Sequence, residues 1–157
     1  MTTALAPQAI REKIVSLEAR MREVLAHGLA EEQDCPLKHH FAPGAYGREI
    51  LLPKGSLVVG KIHKHAHLNI VSQGMAFVMT EDGLEAIQAP RTWVSTPGTK
   101  RVVYAQEDTV WTTVHLTNET DLAKIEEEII APSYEALDVF LFPAGVIDVM
   151  KIEEQTP

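Results

Sequence analysis

The sequence predicts a mainly β domain, a small barrel or sandwich of short strands with one helix before it and one after it. Three observations predict it. From Arg48 onward, short runs rich in Val, Ile, Thr and aromatic residues follow one another: REILLP, SLVVGKIH, HLNIVSQG, MAFVMT, LEAIQAP, RTWVSTPG, TKRVVYA and TVWTTVHLT. Turn signals separate many of them, at Pro53-Lys54-Gly55, Gln73-Gly74, Glu81-Asp82-Gly83 and Glu107-Asp108. Helical periodicity is confined to the two flanks.

The first flank, residues 7 to about 29, repeats Ile10, Ile14, Leu17, Met21 and Val24 at spacings of four and three. Pro7 suits a first helical turn and Gly28 a stop. The stripe lies on the chain's own barrel or packs against another subunit, so residues 1–30 form a packing or oligomerisation helix. Residues 31–47 contain Pro36, Pro43 and Gly44 and read as a connecting loop. The barrel spans 36–120. Beyond it, Asp121 to Ile130 reads as a short helix with Thr120 as N-cap, Leu122, Ile125 and Ile129 as its stripe, and Pro132 as its stop. The 121–157 segment ends in an apolar stretch from Val139 to Met150 that is expected to dock on the barrel or on a partner.

With 157 residues and 45% apolar content, the chain makes one domain with a core of its own. A net charge of −8 argues against nonspecific binding to nucleic acid or anionic membranes, which needs clustered Lys and Arg. There is no apolar run of spanning length and no signal-like N-terminus. A single cysteine, Cys35, is consistent with a reduced, cytoplasmic chain or one released from a cytosol. Nothing basic surrounds Cys35 to activate it as a nucleophile.

The chemistry concentrates between Gly55 and Gly74. His63, His65 and His67 alternate with other residues inside a strand-like run. An unbroken strand would turn all three imidazoles to one face. Neutral imidazole is a common ligand of first-row transition metals. The adjacent pair His39 and His40 cannot share an ion from one strand and fits a loop role. Glu49 could act as an acid or base. Tyr46, Trp93, Tyr104 and Trp111 read as packing residues.

This stretch resembles the first motif of the cupins, small jelly-roll barrels, G-x5-H-x-H-x3-E-x6-G. Here the frame reads Gly55-x5-Lys61-x-His63-x3-His67-x6-Gly74. Both glycines and the second histidine coincide; Lys61 replaces the first histidine, and His67 replaces the glutamate. The resemblance implies a jelly-roll barrel with a site in its mouth. The family's second motif, roughly P-x-G-x2-H, falls at Pro97 to Val102, where strict spacing gives Val102 the histidine position. His115 is expected to fill that gap. A hairpin turning at Glu107-Asp108 would pair Val102 with Thr113 and Lys100 with His115, bringing His115 to the same face.

His63, His67 and His115 are therefore the expected ligands of a divalent transition metal, with iron, manganese, nickel or zinc all suitable and His65 as a spare. The alternative is a metal-free pocket of polar inward residues. Lys61 and Arg101 are expected near the pocket, where they could bind a small carboxylate or phosphate. From Pro36 to Thr120 the chain also resembles short cupin-like proteins of tailed phages and some bacteria, through KHHFAPGAYGREI, LLPKGSLVVGKIH, HLNIVSQG and TPGTKRVVYAQEDTVWTTVH.

Two functional readings follow. One is a metal-dependent binder or enzyme, with dioxygenation, isomerisation and epimerisation all compatible. The other is a structural or accessory protein of a phage particle that uses the barrel for assembly. In both, self-association is expected, a dimer by default.

Overall fold

A computed structural model describes residues 5–141. Its elements, in chain order, are α1 (Pro7–Ala26), β1 (Leu37–Ala42), β2 (Ala45–Leu52), β3 (Leu57–Val59), β4 (Ile62–His63), β5 (His67–Gln73), β6 (Met75–Thr80), β7 (Gly83–Gln88), β8 (Arg91–Ser95), β9 (Val102–Ala105), β10 (Thr109–His115), α2 (Leu122–Ile129), β11 (Ile130–Ala131) and α3 (Tyr134–Leu141). The expected block of short strands is present, with the expected turn at Glu81-Asp82-Gly83 joining β6 to β7.

Two antiparallel sheets face each other. One has the order β1-β2-β10-β5-β8 and the other β3-β9-β6-β7; β4 and β11 form a separate pair. Alternation turns every second residue inward. Leu52, Val71 and Trp111 from the first sheet meet Ala76, Val78, Ile87, Val103 and Ala105 from the second in one apolar core. Gly74 sits between β5 and β6 at φ 85°, where a Cβ would collide with the Asp108 carbonyl. Only glycine fits that crossing.

Three expectations are corrected. Residues 31–47 are not all loop: β1 and β2 form a hairpin before Arg48, with Phe41 opposite Tyr46 and Ala42 opposite Ala45. The Pro43-Gly44 pair is its two-residue turn, with Gly44 at φ 80°. Second, β9 and β10 do not form a hairpin. β9 pairs with β3 and β6, whereas β10 pairs with β2 and β5, so they lie in opposite sheets. Third, Asp121, not Thr120, caps α2; its carboxylate accepts from the Ala123 and Lys124 amides.

The helices cover different parts of the barrel. In α1, Ile14 is buried, Ile10, Leu17 and Met21 are half-buried, and Val24 is exposed. Its N-terminal part therefore follows the expected stripe, and its C-terminal turn does not. Lys100, buried before β9, pairs with Glu18 of α1 at 2.6 Å. At one end of the barrel, Ile125 and Ile129 of α2 pack on Tyr46. Beside them, Ala131 and Leu137 pack on Ile62. Of the apolar tail, Val139, Phe140 and Leu141 are exposed; residues 142–150 lie outside the described residues.

Candidate metal centre

The strand carrying the histidine row is broken. β4 ends at His63, the chain bends at Lys64 and His65, and β5 begins at His67. The Lys64 amide donates to Ile129 O, tying the bend to α2. The break sorts the three histidines. His63 and His67 turn inward, and His65 is exposed, its ring edge-on to Phe140 at 5.2 Å.

His115, the last residue of β10, completes the inward group. Its strand neighbour is Tyr46 of β2, and their rings stack at 6.2 Å. The three imidazole centroids stand 4.2 Å apart for His63 and His67, 4.9 Å for His67 and His115, and 5.4 Å for His63 and His115. The expected trio is thus together, by a route other than the expected hairpin. His115 arrives beside β2 and β5 within its own sheet, while Lys100 reaches away to α1.

Burial keeps these rings neutral. Desolvation, helped by the neighbouring imidazoles and by Arg101 and Arg48, pushes His63 down to about 2. Desolvation, then His67 and Arg48, pushes His115 down to about 4. His67 is lowered as well, mainly by desolvation. Nδ1 of His63 and Nε2 of His67 are sealed from solvent and have no hydrogen-bond partner among the described residues. The third ring is better served, with His115 Nε2 lying 3.1 Å from the Thr113 hydroxyl.

Do these residues fit a metal? A metal–nitrogen bond of about 2.0–2.1 Å places a ligating ring centroid about 3.2 Å from the ion, and two neighbouring ligand rings about 4.5–5.3 Å apart. Of the observed separations, 4.9 Å lies within that range, and 4.2 and 5.4 Å lie just outside its two ends. The donor set is neutral, and two of its nitrogens have no other use. Among the described residues, no three His, Cys, Asp or Glu side chains already surround a common ion position. The spacing therefore comes close to what a shared ion needs, and small side-chain adjustments would have to close the difference; rotation about χ2 of histidine is soft.

A polar network extends the site inward. Ser95 lies opposite His67 on β8. Its hydroxyl accepts from Asn69 Nδ2 at 2.7 Å and from the Arg101 guanidinium. Asn69 Oδ1 accepts from Trp111 Nε1 at 3.2 Å, and Arg101 lies over the Trp111 ring at 5.6 Å. Arg101 is thus where the sequence suggested, one residue before the position that strict spacing assigns to Val102. Lys61 is not brought to this network: exposed, it pairs with Glu126 of α2. Sequence reasoning missed Arg48. It lies on β2 at the parity of Tyr46, Ile50 and Leu52, opposite Thr113 of β10. That parity, shared with buried or half-buried apolar residues, was the available signal. Glu49 faces the other way, toward Lys38 and His40.

No protein-family model and no curated protein sequence matches this chain. Its structure is similar to that of ectoine synthase from P. lautus, with 12% identity, 63% of this chain and 75% of that chain covered, and a TM-score of 0.51. A cupin superfamily protein from Desulfitobacterium hafniense (11% identity, 55% and 81% covered, TM-score 0.47) and a cupin domain from Bordetella pertussis (12%, 56% and 98%, 0.45) are also similar.

The fold is cupin-type.

At these identities the likeness speaks for the fold alone, and a cupin barrel hosts many chemistries. In this one, the histidines line the end of the barrel that α2 and β11 cover. β11 pairs directly with β4, placing Ile130 opposite His63.

Proposed function

We propose that this chain is a small-molecule-binding cupin whose barrel pocket holds a divalent transition metal on His63, His67 and His115. The observation that carries the reading is the pair of sealed imidazole nitrogens, His63 Nδ1 and His67 Nε2, in a cluster kept neutral by burial. A buried polar atom without a partner costs about 1–3 kcal/mol. Three histidines gathered at such a cost suit a ligand that takes lone pairs. When bound, the metal would supply a Lewis acid with open positions. The protein's own part is to keep the imidazoles deprotonated and to hold Arg101 and Arg48 beside them. The test is metal analysis of the untagged protein after expression in metal-supplemented medium. About one iron, manganese, nickel or zinc ion per chain supports the reading. A metal-free protein that also takes up none on titration rejects it.

A second observation supports self-association. All six residues of β1 are exposed, and β1 is an edge strand with one open side. Leu37, His39 and Phe41 lie opposite Ile50, Arg48 and Tyr46 and so share the barrel's inner face, yet all three are exposed. We propose that a second copy covers this extension as a homodimer. Light scattering of the full chain tests it, and a strictly monomeric mass at micromolar concentration contradicts it.

A further inference from the structure

The interior of this acidic protein collects positive charge. Arg101 is 8% exposed, and among the described residues its only hydrogen-bond acceptor is Ser95 Oγ. Arg48, half-buried, lies on β2, the strand next to that of His115, at the parity of Tyr46. Among the described residues neither arginine makes an ion pair. The acid nearest in sequence, Glu49, is committed to the opposite face.

A buried cation without a counter-ion costs several kcal/mol, and folded proteins ordinarily avoid it by pairing. Here the protein does the reverse. Asn69 and Ser95 are spent on fixing Arg101, and Trp111 lies against its face. This holds the guanidinium beside the cross-strand neighbour of His67. Directly opposed strand residues have Cβ atoms about 4.5–5.5 Å apart, so the fork lies within one small-molecule length of the histidines.

We propose that Arg101, with Arg48 across the histidine cluster, forms the binding site for a small organic carboxylate. A guanidinium fork matches a carboxylate in bidentate fashion. Phosphate shares that match, but phosphate sites are commonly completed by backbone N–H groups at helix N-termini or nests. The groups here are side chains on strands or flanking a strand. The inference rests on the reading of this barrel end as a binding pocket and names its ligand class. It also couples to the metal. Three neutral imidazoles and a divalent ion beside two arginines leave a large positive charge that a bound carboxylate would offset. Metal and carboxylate should therefore strengthen each other's binding by the same factor.

The test is isothermal titration of the full chain with sodium succinate, with and without stoichiometric zinc. Inorganic phosphate and the neutral succinamide serve as comparison ligands. We expect saturable one-to-one binding of succinate, no binding of succinamide, and tighter succinate binding with zinc present. Arg101→Gln should weaken succinate binding roughly tenfold to a hundredfold. Arg101→Lys, which keeps the charge and loses the fork, should retain part of it. Arg91→Gln, on a surface pair with Glu85, should change nothing. If Arg101→Gln does not fold, a succinate-dependent rise in the melting temperature of the unaltered protein, absent with succinamide, carries the test. Absence of succinate binding, or equal binding in folded Arg101→Gln, overturns the proposal. Phosphate binding as tightly as succinate overturns the carboxylate class. Zinc uptake is read separately in the same cell, so a failed metal site and a failed carboxylate site give different patterns.

Discussion

One barrel has two interiors. Along β5, the inward residues run His67, Asn69, Val71; along β10 they run His115, Thr113, Trp111, Thr109. His67, Asn69 and Val71 are each 3% exposed or less, so burial does not distinguish the two ends. Partnership does. Around Val71, side chains from both sheets fill the space with apolar contact. Around His67, burial leaves two imidazole nitrogens without a partner and a guanidinium without a counter-ion among the described residues. The same strands thus anchor the fold at one end and hold unsatisfied chemistry at the other. A protein can carry such a site because the apolar end stabilises the barrel independently of it.

The comparison can be broken most forcefully from the apolar end. Ile87→Ala removes a 2% exposed core side chain and should destabilise the protein by about 2–5 kcal/mol, measured by urea denaturation. Metal binding by the folded fraction should survive. Loss of the metal site with intact stability would contradict the division of roles.

Acid sharpens the contrast from the polar end. His63 and His115 are lowered in the folded state to about 2 and about 4, whereas in the unfolded chain they titrate near the ordinary histidine value of about 6.5. Between those limits the unfolded chain binds more protons than the folded one. Stability should thus fall as pH drops below about 6.5, by up to about 1.4 kcal/mol per pH unit for each histidine. His115→Ala should make the slope of stability against pH shallower, read from denaturation midpoints between pH 7 and pH 4.5. An unchanged slope would mean that the rings are not held neutral.

At neutral pH, His115→Ala should cost under about 1.5 kcal/mol, because the ring's burial already carries a desolvation cost. A loss as large as that of Ile87→Ala would make the cluster part of the core. The smallest effect on monomer stability is expected for Phe41→Asp on the exposed β1. That change should instead shift the mass in light scattering from dimer to monomer.

The fold was legible because its signals were local. Runs such as MAFVMT became a strand over the same six residues, Met75 to Thr80, and the glycine frame of 55–74 placed Gly74 at a crossing that only glycine fits. Pro43-Gly44 misled because the pair that breaks a helix also turns a hairpin, and the turn type depends on flanking strands that the breaker rule ignores. The histidines that come together were legible in the sequence, but the way they come together was not. His63, His67 and His115 meet, but pairing consecutive strands as a hairpin ignores a sheet crossover, which is a long-range fact. His65 left the row because a bend at Lys64 and His65 cancels the two-residue alternation. Arg48 was missed although it shares parity with Tyr46, Ile50 and Leu52, because a lone arginine in a strand usually faces solvent.

The central claim is that the polar end is a metal-binding end built from three particular histidines. Zinc titration of the metal-free full chain against a chromophoric chelator tests it most directly. The account predicts one zinc per chain in the unaltered protein and in His65→Ala, and loss of that site in His63→Ala and in His115→Ala while both remain folded. A stoichiometry unchanged by His115→Ala, or no zinc bound by the unaltered chain, would contradict it.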